Sequence, residues 1–385
     1  MIEYCRLFLV LIALLPASTL CLTARDTDRT TYWDTPVPRQ KPAPPAPETC
    51  GACHTDKYSE WSGSRHAHAF SPGLLGQIID YHEADAGDCL NCHAPLAEQQ
   101  EPLLQSNLET LATDMKEHRP VLLAQHGVFC AACHLRDGVL NIPSATPAQF
   151  STDAHLRVRY EPLLRDSRFC ASCHQFDTAT AVNGKPLQDT YREWLESPFA
   201  EQGISCQHCH MPDRAHLFRG IHDPEMVRQG LTITTQTSDT SMDLIVRSTN
   251  VGHRFPTYSV ARVRLTGTLL DSEDRPIPGK DHEKVIQRHM MVDDGRWVEL
   301  SDTRLKPGES VTLGIARQNA GRCTNAVSFR IIIEPEWFYR DQVYPSVLEE
   351  LEDGPARDLI KHAKSLSKTR DYVLFEKTIR NSCID

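Results

Sequence analysis

Long apolar stretches are missing from this chain. A membrane helix needs about 20 apolar residues, and the run at residues 7–15 has nine. Positive charge is also short: 41 Lys and Arg face 51 Asp and Glu, for a net charge of -10. Phosphate backbones require a basic face, so nucleic acid is excluded as a partner. Compositional extremes are absent as well. With 40% hydrophobic and 24% charged residues, the chain is neither collagen-like, nor wholly disordered, nor a polytopic membrane protein. Its 385 residues allow two domains. What the chain does have in quantity is cysteine and histidine, 14 and 18 of them.

Residues 7–15 follow Arg6 and precede Pro16, as in the apolar core of a secretory signal. The expectation is a signal peptide over 1–24 and an exported, periplasmic or extracellular body. Cys21 raises lipidation as an alternative, and an uncleaved N-terminal anchor is another. Membrane association is expected only in those two cases. Residues 36–47 contain six prolines. That composition favours extended polyproline II, so 25–48 reads as a stiff linker.

Ten cysteines fall in five pentapeptides: Cys50-Gly-Ala-Cys53-His54, Cys89-Leu-Asn-Cys92-His93, Cys130-Ala-Ala-Cys133-His134, Cys170-Ala-Ser-Cys173-His174 and Cys206-Gln-His-Cys209-His210. Their first cysteines lie 39, 41, 40 and 36 residues apart, a repeat near 40. C-x-x-C-H is the c-type haem attachment signature. On a helical turn, positions i, i+3 and i+4 share a face. Two thiols can then form thioethers while the histidine reaches the iron. Zinc and disulfides also use CxxC pairs, but neither requires a histidine after every pair. Five covalently attached haem c groups are expected, with His54, His93, His134, His174 and His210 as proximal ligands. One motif per roughly 32 residues leaves no room for a conventional core around each, so the haems themselves must be stacked as the core.

No CxxCK occurs, so lysine ligation is not expected. Thirteen histidines remain to supply the sixth ligands, on which potential and small-molecule access depend. The segment Tyr58-Ser-Glu-Trp61-Ser-Gly-Ser64-Arg-His66-Ala-His68 follows the first motif. It resembles the distal-histidine segment of the tetrahaem electron-transfer cytochromes of ammonia oxidisers and their multihaem relatives. Cys89–Pro95, Cys206–Pro212, His216–Asp223 and Asn250–Thr257 are similar to the same group. The resemblance spans about residues 49–260. It implies His68 (or His66), His155, His216, His222 and His253 as distal ligands, with His126 and His82 in reserve. His208, inside a motif, is expected to be held away from an iron. Tyr191-Arg-Glu-Trp194-Leu-Glu-Ser197 repeats the pattern of residues 58–64, with Pro198-Phe199 in place of Arg65-His66. This is an internal duplication, and both tryptophans are expected to pack at a haem edge.

After residue 230 the texture changes to short, alternating β-branched segments at 231–235, 243–247, 260–270, 310–315, 327–333 and 372–376, with a helix at 356–367. The fold class is therefore α+β: a mostly helical and loop pentahaem domain over 49–230, then an antiparallel β-sandwich-like domain over 231–385. Cys323 and Cys383 are expected to form a disulfide. The function expected is electron transfer through mainly bis-histidine haems between redox partner proteins, quinol-linked or other cytochromes. The alternative is a reductase or oxidase of a small nitrogen or sulfur compound at one open haem. His118, Arg119, Lys116, Arg157 and Arg159 are then candidates for binding an anion. A third possibility is a subunit of a larger extracellular or outer-membrane conduit.

Overall fold

The computed structural model describes residues 36–78, 83–105, 123–146, 155, 157–293, 296–316 and 326–380. The signal segment, His82, Lys116, His118, Arg119, Cys323 and Cys383 lie outside the described residues. Among the described residues no helix is long and apolar enough to cross a membrane. The fold is α+β.

All five motifs sit on helical turns. Four end the helices Glu83–His93, Cys130–His134, Ser167–His174 and Cys206–His210. The first straddles the end of Pro47–Gly51, and His54 N still donates to Cys50 O at 2.9 Å, a helical i+4 bond. The expected sharing of one face by the two thiols and the histidine is thus built into the backbone. Strand β1 (Leu135–Arg136) leaves the third motif and turns at Asp137-Gly138, both with positive φ, into β2 (Val139–Ile142). Asp-Gly is the favoured pair for such a type I′ hairpin. Strand β3 (Val158–Tyr160) then pairs parallel to β2.

The described part of the proline-rich stretch, from Pro36 on, is tied to the motif region. Val37 is fully buried beside Trp61, Leu96 and Phe129, and its N–H donates to Pro95 O at 2.6 Å. An extended chain needs only one buried side chain and one backbone bond to be tied down, and proline does not prevent either.

The two duplicated segments form matching helices, Thr55–Ser62 and Thr190–Leu195. Trp61 Nε1 donates to Val128 O at 2.8 Å, and Trp194 Nε1 donates to Ile204 O at 2.9 Å. Each acceptor lies two residues before the first cysteine of a motif. The indoles therefore fix the backbone leading into the third and fifth motifs, a role beyond the expected edge packing.

The C-terminal part holds β4 (Leu231–Thr237), β5 (Ser241–Ser248), β6 (Arg262–Leu270), β7 (Pro276–Ile286), β8 (Arg288–Asp293), β9 (Arg296–Asp302), β10 (Ser310–Ala316), β11 (Ala326–Glu334) and β12 (Tyr372–Arg380). Two antiparallel sheets, ordered β10-β5-β4 and β12-β11-β6-β7, share one apolar core. Met242, Leu244 and Val246 face Val263, Leu265, Phe329 and Ile331 across it. A Cβ at Gly267 would lie 2.5 Å from Ile315 Cδ1, so only glycine allows this approach. Strand β7 escapes the sequence reading because its side chains are largely charged and exposed; backbone pairing to β6 holds it instead, while β8 and β9 pair with each other as a separate ribbon.

The helix Pro355–Lys368 buries Leu359, Ile360 and Ala363 as one stripe. It lies on the helix Pro72–Ile78, where a Cβ at Gly76 would lie 2.9 Å from Ile360. The last helix of the chain is thus packed on an early helix of the motif region. Gly267→Val should overpack the sandwich and cost about 1–3 kcal/mol. The check is a lower urea midpoint by far-UV circular dichroism with the visible spectrum unchanged.

Candidate haem sites

Imidazoles meet in pairs. His54 faces His155 with ring centroids 5.9 Å apart, His66 faces His174 at 6.2 Å, His134 faces His216 at 6.1 Å and His210 faces His253 at 6.3 Å. An imidazole nitrogen bonds a first-row metal at about 2 Å, so two rings on opposite sides of one iron have centroids roughly 6 Å apart. The four pairs fit two axial ligands of one haem iron. Each joins a motif histidine to a histidine from another part of the chain. Among the described residues no group of three or more His, Cys, Asp or Glu is placed to hold a metal ion.

The second nitrogen of several rings is spoken for. Nδ1 of His93, His134 and His210 lies 2.6, 2.9 and 2.5 Å from the carbonyls of Ala69, Asn141 and Arg219. Nδ1 of His216 and His253 lies 3.0 and 2.9 Å from those of Arg214 and Arg254. The Gln188 amide is 2.8 Å from His174 Nδ1. A carbonyl that accepts from Nδ1–H fixes the tautomer and leaves the Nε2 lone pair for a metal. Burial lowers the basicity of these rings. His66 is pushed down to about 3, and His174 and His253 to about 4, with neighbouring histidines adding to the effect. His66, His174 and His253 are therefore uncharged at neutral pH, the form that ligates. His174 has dense surroundings yet keeps accessible ring surface, so it lines a cleft rather than filling one.

The thiols connect the motifs. Cys50 lies beside Cys130, Cys170 beside Cys206 and Cys173 beside Cys92, close enough for each pair to shift one another's acidity. Motif 1 thus adjoins motif 3, and motif 4 adjoins both motif 5 and motif 2. Cys133 lies close enough to influence Cys170 and Cys173, which closes the series.

Two expected distal ligands stand elsewhere. His68 is exposed, and the fold brings His66 to His174 instead. The chain turns tightly at 64–69, with His68 N–H on Arg65 O and Ala69 N–H on His66 O, which points alternate side chains apart. His222 Nε2 lies 3.0 Å from Glu336 Oε1, in an ion cluster rather than opposite a motif histidine. Arg65 Nη2 at 3.2 Å and Arg370 also reach Glu336 Oε1, while Ser367 Oγ donates to Oε2 at 2.8 Å. His126 is 3.8 Å from Glu48, and His208 is exposed and 3.3 Å from Ser205 Oγ. Arg159 Nε donates to Asn141 Oδ1 at 2.8 Å and Arg157 Nη1 to Asp137 O at 3.4 Å, so both brace the hairpin. Among the described residues no histidine faces His93. The cluster on Glu336 was missed because Arg65 lies 271 residues from Glu336, with no local signal.

These features define a class. The chain has the fold of a multihaem c-type cytochrome. In particular, it is similar to a penta-heme cytochrome c552 from Thermochromatium tepidum, with 21% identity and a TM-score of 0.59, over 87% of this chain and 99% of that one. No protein-family model matches the chain, and no curated protein does.

Burial holds a carboxyl up, but hydrogen bonding from His222 and the charges of Arg370 and Arg65 outweigh it, so Glu336 is pushed down to about 2. A depressed carboxyl stabilises the fold above its unfolded pKa, and that contribution fades as pH falls through the folded value. Glu336→Gln should therefore cost about 3 kcal/mol at pH 7. The deficit should shrink between about pH 4.5 and pH 2. Urea midpoints of both proteins across that range check it.

Proposed function

We propose that this is an exported pentahaem electron-transfer cytochrome. Five haem c groups are held by Cys50/Cys53, Cys89/Cys92, Cys130/Cys133, Cys170/Cys173 and Cys206/Cys209. Four irons are bis-histidine, ligated by His54 and His155, His174 and His66, His134 and His216, and His210 and His253. The observation that carries this is the set of four ring pairs about 6 Å apart. Covalent attachment retains a cofactor outside the cytoplasm, in keeping with the signal-like segment at 1–24. Adjoining attachment points suit single-electron hopping from haem to haem, and a net charge of -10 suits docking to basic redox partners.

A second reading has one specific observation behind it. His93 faces no histidine among the described residues, and Arg65 is near enough to lower its basicity, after burial and against its bond to Ala69. A haem on motif 2 with an accessible sixth position beside that guanidinium would bind a small nitrogen or sulfur oxyanion. The test is the visible spectrum of the dithionite-reduced protein with and without carbon monoxide. No rapid shift supports electron transfer alone. A rapid shift of one haem in five, retained in His68→Ala and His222→Ala, supports a substrate site on motif 2. His66→Ala should add one more reactive haem.

A further inference from the structure

The duplicated Tyr-x-Glu-Trp-x-x-Ser segments make the same two contacts in two places. Trp61 holds the backbone entering the third motif, and Trp194 holds the backbone entering the fifth. The glutamate one residue earlier reaches a different strand of the chain. Glu60 Oε2 accepts from the backbone N–H of His216 at 2.8 Å, and His216 faces His134 of the third motif. Glu193 Oε2 accepts from the backbone N–H of Arg254 at 3.1 Å, next to His253, which faces His210 of the fifth motif. Each segment therefore grips both sides of one site, the motif on one side and the facing histidine on the other. Local geometry does not explain this, because Glu60 spans 156 residues to its partner and Glu193 spans 61.

We propose that Glu60 and Glu193 are positioning residues that set the distal ligands His216 and His253. The inference rests on the bis-histidine ligation proposed above. A carboxylate that accepts a backbone N–H makes a strong, charge-assisted bond. It removes the freedom of the ligand-bearing segment to swing away, while the ring's own Nδ1 contact fixes its rotation. The two copies differ in surroundings. Glu60 is partly exposed and paired with Lys57 at 2.9 Å. Glu193 is buried and also receives Thr257 Oγ1 at 2.9 Å and Arg304 Nη1 at 2.8 Å. Glu60 is thus the copy that can be altered without opening a core.

The experiment uses the full-length holoprotein, reduced and mixed rapidly with carbon monoxide, with haem content measured alongside. Carbon monoxide must wait for a histidine to leave a bis-histidine iron, so the slow uptake rate reads how firmly that histidine is held. In Glu60→Ala, uptake at one haem in five should quicken about tenfold with all five haems attached. Glu60→Gln keeps an acceptor oxygen and should restore a rate close to wild type. His216→Ala should make the same haem react at once. If His216→Ala changes no haem, the ligation itself is overturned and this inference with it. If His216→Ala opens a site while Glu60→Ala keeps the wild-type rate, only the positioning role is overturned.

Discussion

Everything in the motif region depends on holding pairs of imidazoles with their ring centroids about 6 Å apart. Left to themselves, two such rings would hydrate, protonate or pack onto other side chains. The fold prevents this with backbone carbonyls at Nδ1, which choose the tautomer, and with burial, which keeps the rings neutral. Helical turns hold one ring of each pair through local hydrogen bonds. The opposing rings of His216 and His253 take only a neighbouring carbonyl at Nδ1, and long-range contacts fix the segments that carry them. The loop between β5 and β6 carries one such ring, His253, while the Asp137-Gly138 hairpin brings the Asn141 carbonyl to the motif ring of His134.

The β-rich part belongs to this scheme. His253 leaves β5 on a loop tied to the motif region by Glu193, which in turn takes Arg304 from beyond β9. Arg304 is nearly fully buried and also paired with Asp302 at 2.9 Å. Such a buried carboxylate and guanidinium are costly to desolvate and would be destabilising if either were left alone. Their hydrogen bonds fix how the β5–β6 loop meets the helix Thr190–Leu195. Specific geometry, more than stability, is what this network supplies.

Much of this was legible in the chain and much was not, for physical reasons. The attachment motifs are contained in five residues and one helical turn, so their positions and chemistry could be read directly. The apolar strands β5, β6 and β11 were legible from alternation, whereas β7 with its run of exposed polar side chains was not. Choosing His66 over His68 required knowing how a tight turn directs two side chains two residues apart. His222 looked like a ligand in sequence, and only a glutamate 114 residues away shows where its Nε2 points. Glu60 and Glu193 gave no signal at all beyond the repeat that contains them, since a glutamate on a short helix is ordinary.

The pairs also cross the two halves of the duplication. His66, from the first half, faces the fourth motif, and His216, from beyond the fifth motif, faces the third. Each half presents a ring to a motif of the other. The halves are thus interlocked like clasped hands, and neither is a self-sufficient module that recombination could move to another protein.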